Sequence, residues 1–269
     1  MQKVSLLPQL ELLVEDYKRQ NLKVGFVPTM GFLHSGHLSL IAACKKECDV
    51  CIVSIYVNPS QFNEPSDFDS YPKDLKKDCE LLQAASCDLV WIPTAEGVQS
   101  IPLDLNYELN GVDVALEGKE RPGHFKGVIE VVYRLFTAVN PDVAYFGEKD
   151  YQQYEVISKM TRNNMLNINI VSVPTIRESD GLAMSSRNVR LSPGDRKLAP
   201  ELHAVLKYLS TEGDNNIEFA REKLIKKGFK VEYLTPYELS AGGKRLFAAV
   251  RLGDVRLIDN VPLINSPSV

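Results

Sequence analysis

Two histidines, His34 and His37, lie three residues apart in the segment 28–37, which reads PTMGFLHSGH. On the first turn of a helix, side chains with this spacing share a face and can point at one group. Protonated imidazoles there could stabilise negative charge that develops on a phosphorus centre and on its leaving group. The alternatives are a pair of structural or surface histidines and a zinc site, for which no third ligand is identified. The spacing therefore predicts a phosphate-binding pair.

The neighbouring residues of this segment also suit an anion. Gly31 and Gly36 permit tight turns and a close approach of the backbone. A helix that begins near Gly36 would direct unpaired amides and a partial positive charge at the anion. The segment follows a predicted strand, 23–27, and ligands of open α/β sheets bind beyond the carboxyl ends of the strands.

Two further segments offer cations for a phosphate. Lys149 lies in FGEKDYQQ, between a predicted strand and a predicted helix. Ser185, Ser186 and Arg187 lie in GLAMSSRN, where hydroxyls and a planar guanidinium suit the oxygens of pyrophosphate. The chain has neither a P-loop motif nor a G-x-S-x-G elbow. We therefore expect these side chains to replace the P-loop lysine.

The elements around these motifs alternate between short apolar runs and helical periodicity, which predicts β–α units and a parallel sheet. The predicted strands are 23–27, 50–56, 88–92, 143–146 and 168–173, and the predicted helices are 36–47, 73–85, 126–139 and 151–164. Residues 58–72 are rich in proline and predict a functional flap, and 94–123 is a second irregular region.

The pattern changes after Pro174, so we predict a domain boundary close to Thr175. Helices are predicted at 196–209 and 216–227, and short strands at 230–234, 246–251 and 255–258. The predicted domains are therefore 1–175 and 176–269.

Composition limits the class of protein and its partners. With 44% hydrophobic and 25% charged residues, the 269-residue chain is typical of globular proteins. A net charge of −4 offers no positive field for nucleic acid, which we do not expect as a partner. Pro8, Glu11, Glu15 and Asp16 interrupt any signal-peptide core, and no apolar run could span a membrane. We expect a cytoplasmic protein without membrane association.

The five cysteines are expected to be reduced thiols. Cys44, Cys48 and Cys51 have a spacing that could serve an iron–sulfur cluster, and this is one alternative. The favoured interpretation is structural, because Cys44 and Cys48 are an i, i+4 pair on a predicted helix and Cys51 opens a predicted strand.

Taken together, the motifs resemble the pantothenate synthetase family, the AMP-forming pantoate:β-alanine ligases. The resemblance rests on residues 28–37, YVNPSQF at 56–62, residues 68–69 and 71–72, RPGHF at 121–125, YFGEKDYQQ at 145–153, MSSRN at 184–188 and RLIDN at 256–260. The first motif is shared with other adenylyl and cytidylyl transferases, whereas the full set is specific to this family.

The resemblance implies an α/β fold. A Rossmann-like parallel sheet of the nucleotidylyltransferase type, in residues 1–175, would bind ATP and pantoate. A smaller α+β C-terminal domain, 176–269, would form a lid. The family is typically homodimeric, and it makes pantothenate, vitamin B5, for coenzyme A biosynthesis.

The resemblance also implies site residues. His37 would be the catalytic acid, assisted by His34, Lys149 and Arg187. Gln61 and Gln153 would bind pantoate, and Gln61 would also contact β-alanine. Mg²⁺ would accompany the ATP, with no protein ligand to the metal assigned. The implied ATP-binding residues are Met30, Gly31, Phe32, Leu33, His34, Ser35, Gly36, His37, Gly147, Glu148, Lys149, Asp150, Ile176, Met184, Ser185, Ser186 and Arg187.

The implied reaction condenses (R)-pantoate with β-alanine through a pantoyl adenylate and releases pyrophosphate and AMP. A carboxylate is already ionised at neutral pH, so its attack on ATP needs positioning and charge neutralisation rather than a general base. The 58–72 flap would exclude water from the adenylate. Two alternatives stay open: a nucleotidyltransferase that leaves the adenylyl group on its product, and a non-catalytic nucleotide-binding regulator.

Overall fold

A computed structural model describes residues 1–63, 65–213 and 216–263. The chain divides into two compact units. The first comprises Met1–Gly147 and Gln152–Val173, and the second comprises Glu148–Tyr151 and the chain from Pro174 onward.

The first unit is built on a parallel sheet of six described strands in the order β1-β4-β3-β2-β5-β6. Successive strands run outward from β2 through β3 to β4, and then on the other side of β2 from β5 to β6. The order in which successive strands are added to the sheet therefore reverses between β2 and β5. Open α/β sheets bind ligands at such a point, beyond the carboxyl ends of the strands. The strands are β1 Gln2–Val4, β2 Val24–Thr29, β3 Val50–Ile55, β4 Leu89–Trp91, β5 Val143–Gly147 and β6 Asn169–Val173.

Helices cover both faces of this sheet. Neighbouring strand residues point to opposite faces, so Phe26 packs in one apolar cluster and Val27 in the other. No helix within the described ranges is long and apolar enough to cross a membrane. The helices are α1 Leu7–Arg19, α2 Ser35–Glu47, α3 Pro65–Asp69, α4 Leu75–Ala84, α5 Ala95–Gln99, α6 Glu117–Glu120, α7 His124–Val139 and α8 Tyr151–Asn163, whose first residue belongs to the second unit.

The structure confirms the predicted strands and helices between residues 23 and 173, with ends that shift by a few residues. Strand β1 and helix α1 were not predicted from the sequence. The three residues of β1 are too short to show alternation, and they form a strand by pairing with β4 at the sheet edge. The 58–72 and 94–123 regions also contain short helices, α3, α5 and α6.

The second unit is an α+β arrangement of an antiparallel sheet, in the order β7-β8-β9, with helices packed on it. Its core includes Leu202 and Leu206 on the helices and Leu246 and Val250 on the sheet. The elements are α9 Pro193–Leu198, α10 Glu201–Glu212, α11 Ile217–Lys226, β7 Lys230–Glu238, β8 Lys244–Leu252 and β9 Val255–Pro262.

One predicted helix, 196–209, is wrong, because the segment contains two helices. Ser192 caps α9, with its hydroxyl accepting the N–H of Asp195 at 3.1 Å. Pro200 lacks an N–H and stands at the N-cap of α10, so it begins a new helix. The three strands exist as predicted and are longer.

Candidate active site

The histidine pair lies between β2 and α2, at the point where the helix begins. His34 is the N-cap, and its Nδ1 accepts the N–H of Gly36 at 3.1 Å. Nδ1 of His37 accepts the N–H of His34 at 3.3 Å, and the two ring centroids are 4.1 Å apart. The predicted shared face is therefore present. Because each Nδ1 is an acceptor here, the proton of each neutral ring lies on Nε2, which is a donor.

Asp78, a buried residue of α4, holds the turn that carries the histidines. Its two carboxylate oxygens accept the N–H groups of Phe32 at 2.8 Å and Leu33 at 2.7 Å. Gly31 and Phe32 have φ values of +79° and +51°, and a Cβ on Gly31 would lie 3.0 Å from both Asp78 Oδ2 and Ile55 Cγ2. The turn is therefore shaped by a carboxylate and by a glycine.

Asp78 is not among the residues predicted from the sequence. A signal was available, because Asp78 shares the buried face of its helix with Cys79 and Leu82. A carboxylate in such an apolar position needs partners that donate to it.

Gln61, predicted to bind pantoate, ends the 3-10 helix Pro59–Gln61 at the start of the flap. Its carbonyl accepts hydrogen bonds from Arg121 Nη2 at 3.0 Å and from His124 Nδ1 at 2.8 Å. These two donors come from the RPGHF motif. That motif therefore fixes the backbone from which the Gln61 side chain projects.

Close packing against α7 fixes the same 3-10 helix. Asn58 is buried, and its amide donates to the carbonyl of Gly127 at 3.3 Å. A Cβ on Gly127 would lie 2.3 Å from the carbonyl oxygen of Ser60, so only glycine permits this approach. The first part of the flap is consequently anchored to the core of the first unit.

The two consecutive glutamines of α8 have different environments. Gln153, predicted to bind pantoate, is half-buried, whereas Gln152 is buried. Gln152 Oε1 accepts the N–H of Glu117 at 3.0 Å, and its Nε2 donates to the carbonyls of Val112 at 2.9 Å and Ala115 at 2.8 Å. Gln152 thus holds the irregular 94–123 region, a structural role that the sequence analysis did not predict.

The other predicted ATP contacts lie in the second unit, except for Gly147, which ends β5 in the first. Lys149 is part of the 3-10 helix Glu148–Asp150, and its Nζ lies 3.4 Å from Asp150 Oδ2. Ile176 and Met184 are brought together, because the N–H of Met184 donates to the carbonyl of Ile176 at 3.0 Å. The hairpin between them also joins Arg177 to Ala183 as an antiparallel pair.

This hairpin leads into the serine-rich segment. Ser185 caps the 3-10 helix Ser186–Arg190, with its hydroxyl accepting the N–H of Arg187 at 3.3 Å. Ser185 and Arg187 are half-buried, and Ser186 is buried. The structure therefore brings Ile176 and the 184–187 run together within one unit, while His34, His37, Gln61 and Gln153 belong to the other.

The cysteines occupy the apolar core. All five are unpaired and buried, and burial raises the pKa of the Cys48 thiol to about 11. A Cβ on Gly25 would lie 2.3 Å from Cys44 Sγ and 2.8 Å from Cys48 Sγ, so these two thiols pack directly on the backbone of β2. Across the residues that the structure describes, no group of three His, Cys, Asp or Glu side chains is placed to hold a metal ion.

The fold and the site define a class: an α/β enzyme with a Rossmann-like parallel sheet and a histidine pair at a helix N-terminus beyond its carboxyl edge. The chain belongs to the pantoate–β-alanine ligase family, whose model matches residues 2–262. It is therefore a carbon–nitrogen ligase.

Relatives of the family are similar over nearly their whole length. The pantothenate synthetase of Carboxydothermus hydrogenoformans is 46% identical, over 93% of this chain and 95% of its own. The pantoate–β-alanine ligase of Schizosaccharomyces pombe is 42% identical, over 92% of this chain and 94% of its own.

Solved structures agree with this assignment. Pantothenate synthetase from Thermus thermophilus superposes with a TM-score of 0.89 at 38% identity, covering 98% of this chain and 99% of that one. Pantoate–β-alanine ligase from Francisella tularensis, in complex with beta-gamma ATP and β-alanine, superposes with a TM-score of 0.87 at 36% identity and covers 100% of both chains.

Proposed function

We propose that the protein condenses (R)-pantoate with β-alanine at the expense of ATP, through a pantoyl adenylate. The observation that carries the proposal is the histidine pair, oriented by Asp78 at the N-terminus of α2, in a chain of this family. The Francisella tularensis relative, which binds beta-gamma ATP and β-alanine, supports these two ligands as substrates.

In the first step, a pantoate carboxylate oxygen attacks the α-phosphorus of ATP, and the bond to pyrophosphate breaks with its electron pair going to the leaving group. His34 and His37 would donate from Nε2 to the oxygens on which charge develops. The amides at the start of α2 add a fixed partial positive charge. Mg²⁺ would accompany the ATP substrate and would supply further positive charge at its phosphates.

Further residues are proposed for the same step. ATP would contact residues 30–37, 147–150, 176 and 184–187, with Lys149 and Arg187 as the cations that neutralise its phosphates. Gln61 and Gln153 would bind pantoate, and Gln61 would also contact β-alanine. Residues 1–175 would form the ATP- and pantoate-binding domain and 176–269 the lid.

In the second step, the neutral amine of β-alanine attacks the acyl carbonyl, and AMP leaves with the electrons of the broken bond. An aliphatic ammonium has a reference pKa of about 10, so the amine must first lose a proton. The adenylate would hydrolyse in contact with water, and the 58–72 flap is proposed to cover it.

Isotope exchange tests this scheme. With pantoate, ATP and Mg²⁺ but no β-alanine, labelled pyrophosphate is expected to exchange into ATP, because adenylate formation is reversible while the adenylate stays bound. AMP should accumulate only after β-alanine is added. Exchange that proceeds equally without pantoate would favour the nucleotidyltransferase alternative. ATP binding without exchange or turnover would favour the nucleotide-binding regulator.

Substitution of Asp78 tests the support of the histidine turn. In Asp78→Asn, the amide keeps one acceptor but places an NH₂ group against a backbone N–H. We expect a loss of about tenfold in pantoate-dependent exchange, as for a small misplacement of catalytic groups. The free energy of unfolding in urea should fall by about 1–3 kcal/mol, the cost of an unsatisfied buried polar group.

Asp74→Asn is the matched control, because Asp74 caps the same helix from an exposed position and accepts the N–H of Lys77 at 3.0 Å. It should keep wild-type exchange. Wild-type exchange in Asp78→Asn would show that the Asp78 carboxylate does not position the turn.

The cellular setting is also proposed. Five unpaired, buried cysteines suit a reducing compartment, which supports a cytoplasmic location. A homodimer is proposed from the resemblance to the family, and light scattering of the purified protein would measure its mass.

A further inference from the structure

Two consecutive residues of the RLIDN motif, Asp259 and Asn260, are buried polar residues on β9. In the antiparallel pairing with β8, Asp259 stands opposite Ala248 and Asn260 opposite Phe247. Consecutive strand residues point to opposite faces of a sheet. The dipeptide therefore offers one polar side chain to each face of the second unit's sheet.

Asn260 holds the segment that carries Lys149. Its Nδ2 donates to the carbonyls of Glu148 at 2.8 Å and Lys149 at 2.9 Å, and its Oδ1 accepts from Arg245 Nε at 2.8 Å. The Arg245 guanidinium also lies 4.2 Å above the ring of Tyr151. Both N–H donors of the Asn260 amide and its oxygen are thus hydrogen-bonded to neighbouring residues of the second unit.

Asp259 holds the hairpin that leads to Arg187. Its carboxylate accepts two hydrogen bonds from Arg177, at 2.7 and 2.9 Å, and Arg177 also donates to the carbonyl of Gly181 at 3.2 Å. Burial alone would raise the pKa of Asp259, but His203 and Arg177 outweigh it and hold that pKa below its usual value. The carboxylate therefore stays ionised and keeps both hydrogen bonds to Arg177.

We propose that Asp259 and Asn260 are positioning residues for the adenylation step, a role that rests on the proposed function. Asn260 fixes the two carbonyls that flank the Cα of Lys149, and so fixes the direction in which the lysine side chain leaves the backbone. Asp259 acts through Arg177 on the hairpin that precedes Arg187. Two residues of β9 thereby fix the backbone that carries both proposed phosphate-binding cations, Lys149 and Arg187.

The experiment combines Asn260→Asp with Lys149→Ala. Aspartate keeps the shape of asparagine and an acceptor for Arg245, but it lacks both N–H donors to the carbonyls. Pantoate-dependent pyrophosphate exchange is measured for both single variants, the double variant and the wild type. Asn260→Asp should lose about tenfold in kcat/KM for ATP, and the double variant should lie within about twofold of Lys149→Ala, because residues that act together are not additive.

Glu232→Gln is the matched control, because Glu232 accepts from Arg251 Nε at 3.0 Å and Arg256 Nε at 2.7 Å on the same sheet. It changes the charge by one unit and weakens two ion pairs elsewhere on that sheet, so it should lower the Tm without changing the exchange. If Asn260→Asp does not fold, Asn260→Ser, which keeps one donor, takes its place in the same cycle.

If the wild type shows pantoate-dependent exchange, two results would overturn the positioning role while leaving the proposed function intact. One is full exchange in the folded Asn260 variant, and the other is losses that multiply in the double variant, as expected for a purely structural residue. A wild type without such exchange would instead reject the proposed function, and the positioning role with it.

Discussion

His37→Ala is expected to fold and to lose about 10²–10³-fold in adenylate formation, the loss typical of one preorganised transition-state donor. The structure supplies the reason, since Nδ1 of His37 is occupied by the N–H of His34 and only Nε2 can donate to a phosphate. Single-turnover formation of the adenylate, alongside the thermal unfolding midpoint, measures the two roles separately.

Two polar variants separate capping from catalysis at the same position. The amide oxygen of His37→Asn can take the place of Nδ1 and restore the cap, but nothing replaces the Nε2 donor. The longer His37→Gln can place an amide N–H near Nε2. We expect asparagine to recover stability without activity, and glutamine to recover part of the activity. Wild-type turnover in a folded His37→Ala would reject the assignment.

Lys149→Ala and Arg187→Ala are each expected to slow the first half-reaction by about 10²-fold, because each removes a proposed counter-charge of the ATP phosphates. Arg187→Lys should recover little of the loss, since an ammonium cannot reproduce the planar fork of donors. Rapid-quench measurement of adenylate formation in a single turnover isolates this half-reaction from amide synthesis.

Arg190→Ala provides the comparison, because Arg190 belongs to the same 3-10 helix as Arg187 but is not assigned to the site. It should form adenylate at the wild-type rate. If both Lys149→Ala and Arg187→Ala also do so, these cations do not bind the phosphates in the reactive complex.

Features that depend on near neighbours in the chain could be read from the sequence. The apolar runs at 50–56 and 143–146 became buried parallel strands, and the spacing of His34 and His37 placed them on one helix start. Each of these outcomes follows from helix or strand geometry over a few residues. The substrate contacts assigned through the resemblance stay predictions.

Features that join distant parts of the chain were decided by the tertiary structure. Asp78 lies 46 residues from the N–H of Phe32 that it accepts, and Asn260 lies 111 residues from the carbonyl of Lys149 to which it donates. The edge strand β1 exists only because β4 is there to pair with it. The hydrophobic periodicity of a segment does not indicate such a partner, because a buried polar group is satisfied by whatever the folded chain brings to it. The sequence thus determined which residues could bind phosphate, and the fold decided which carboxylates, amides and carbonyls hold them in place.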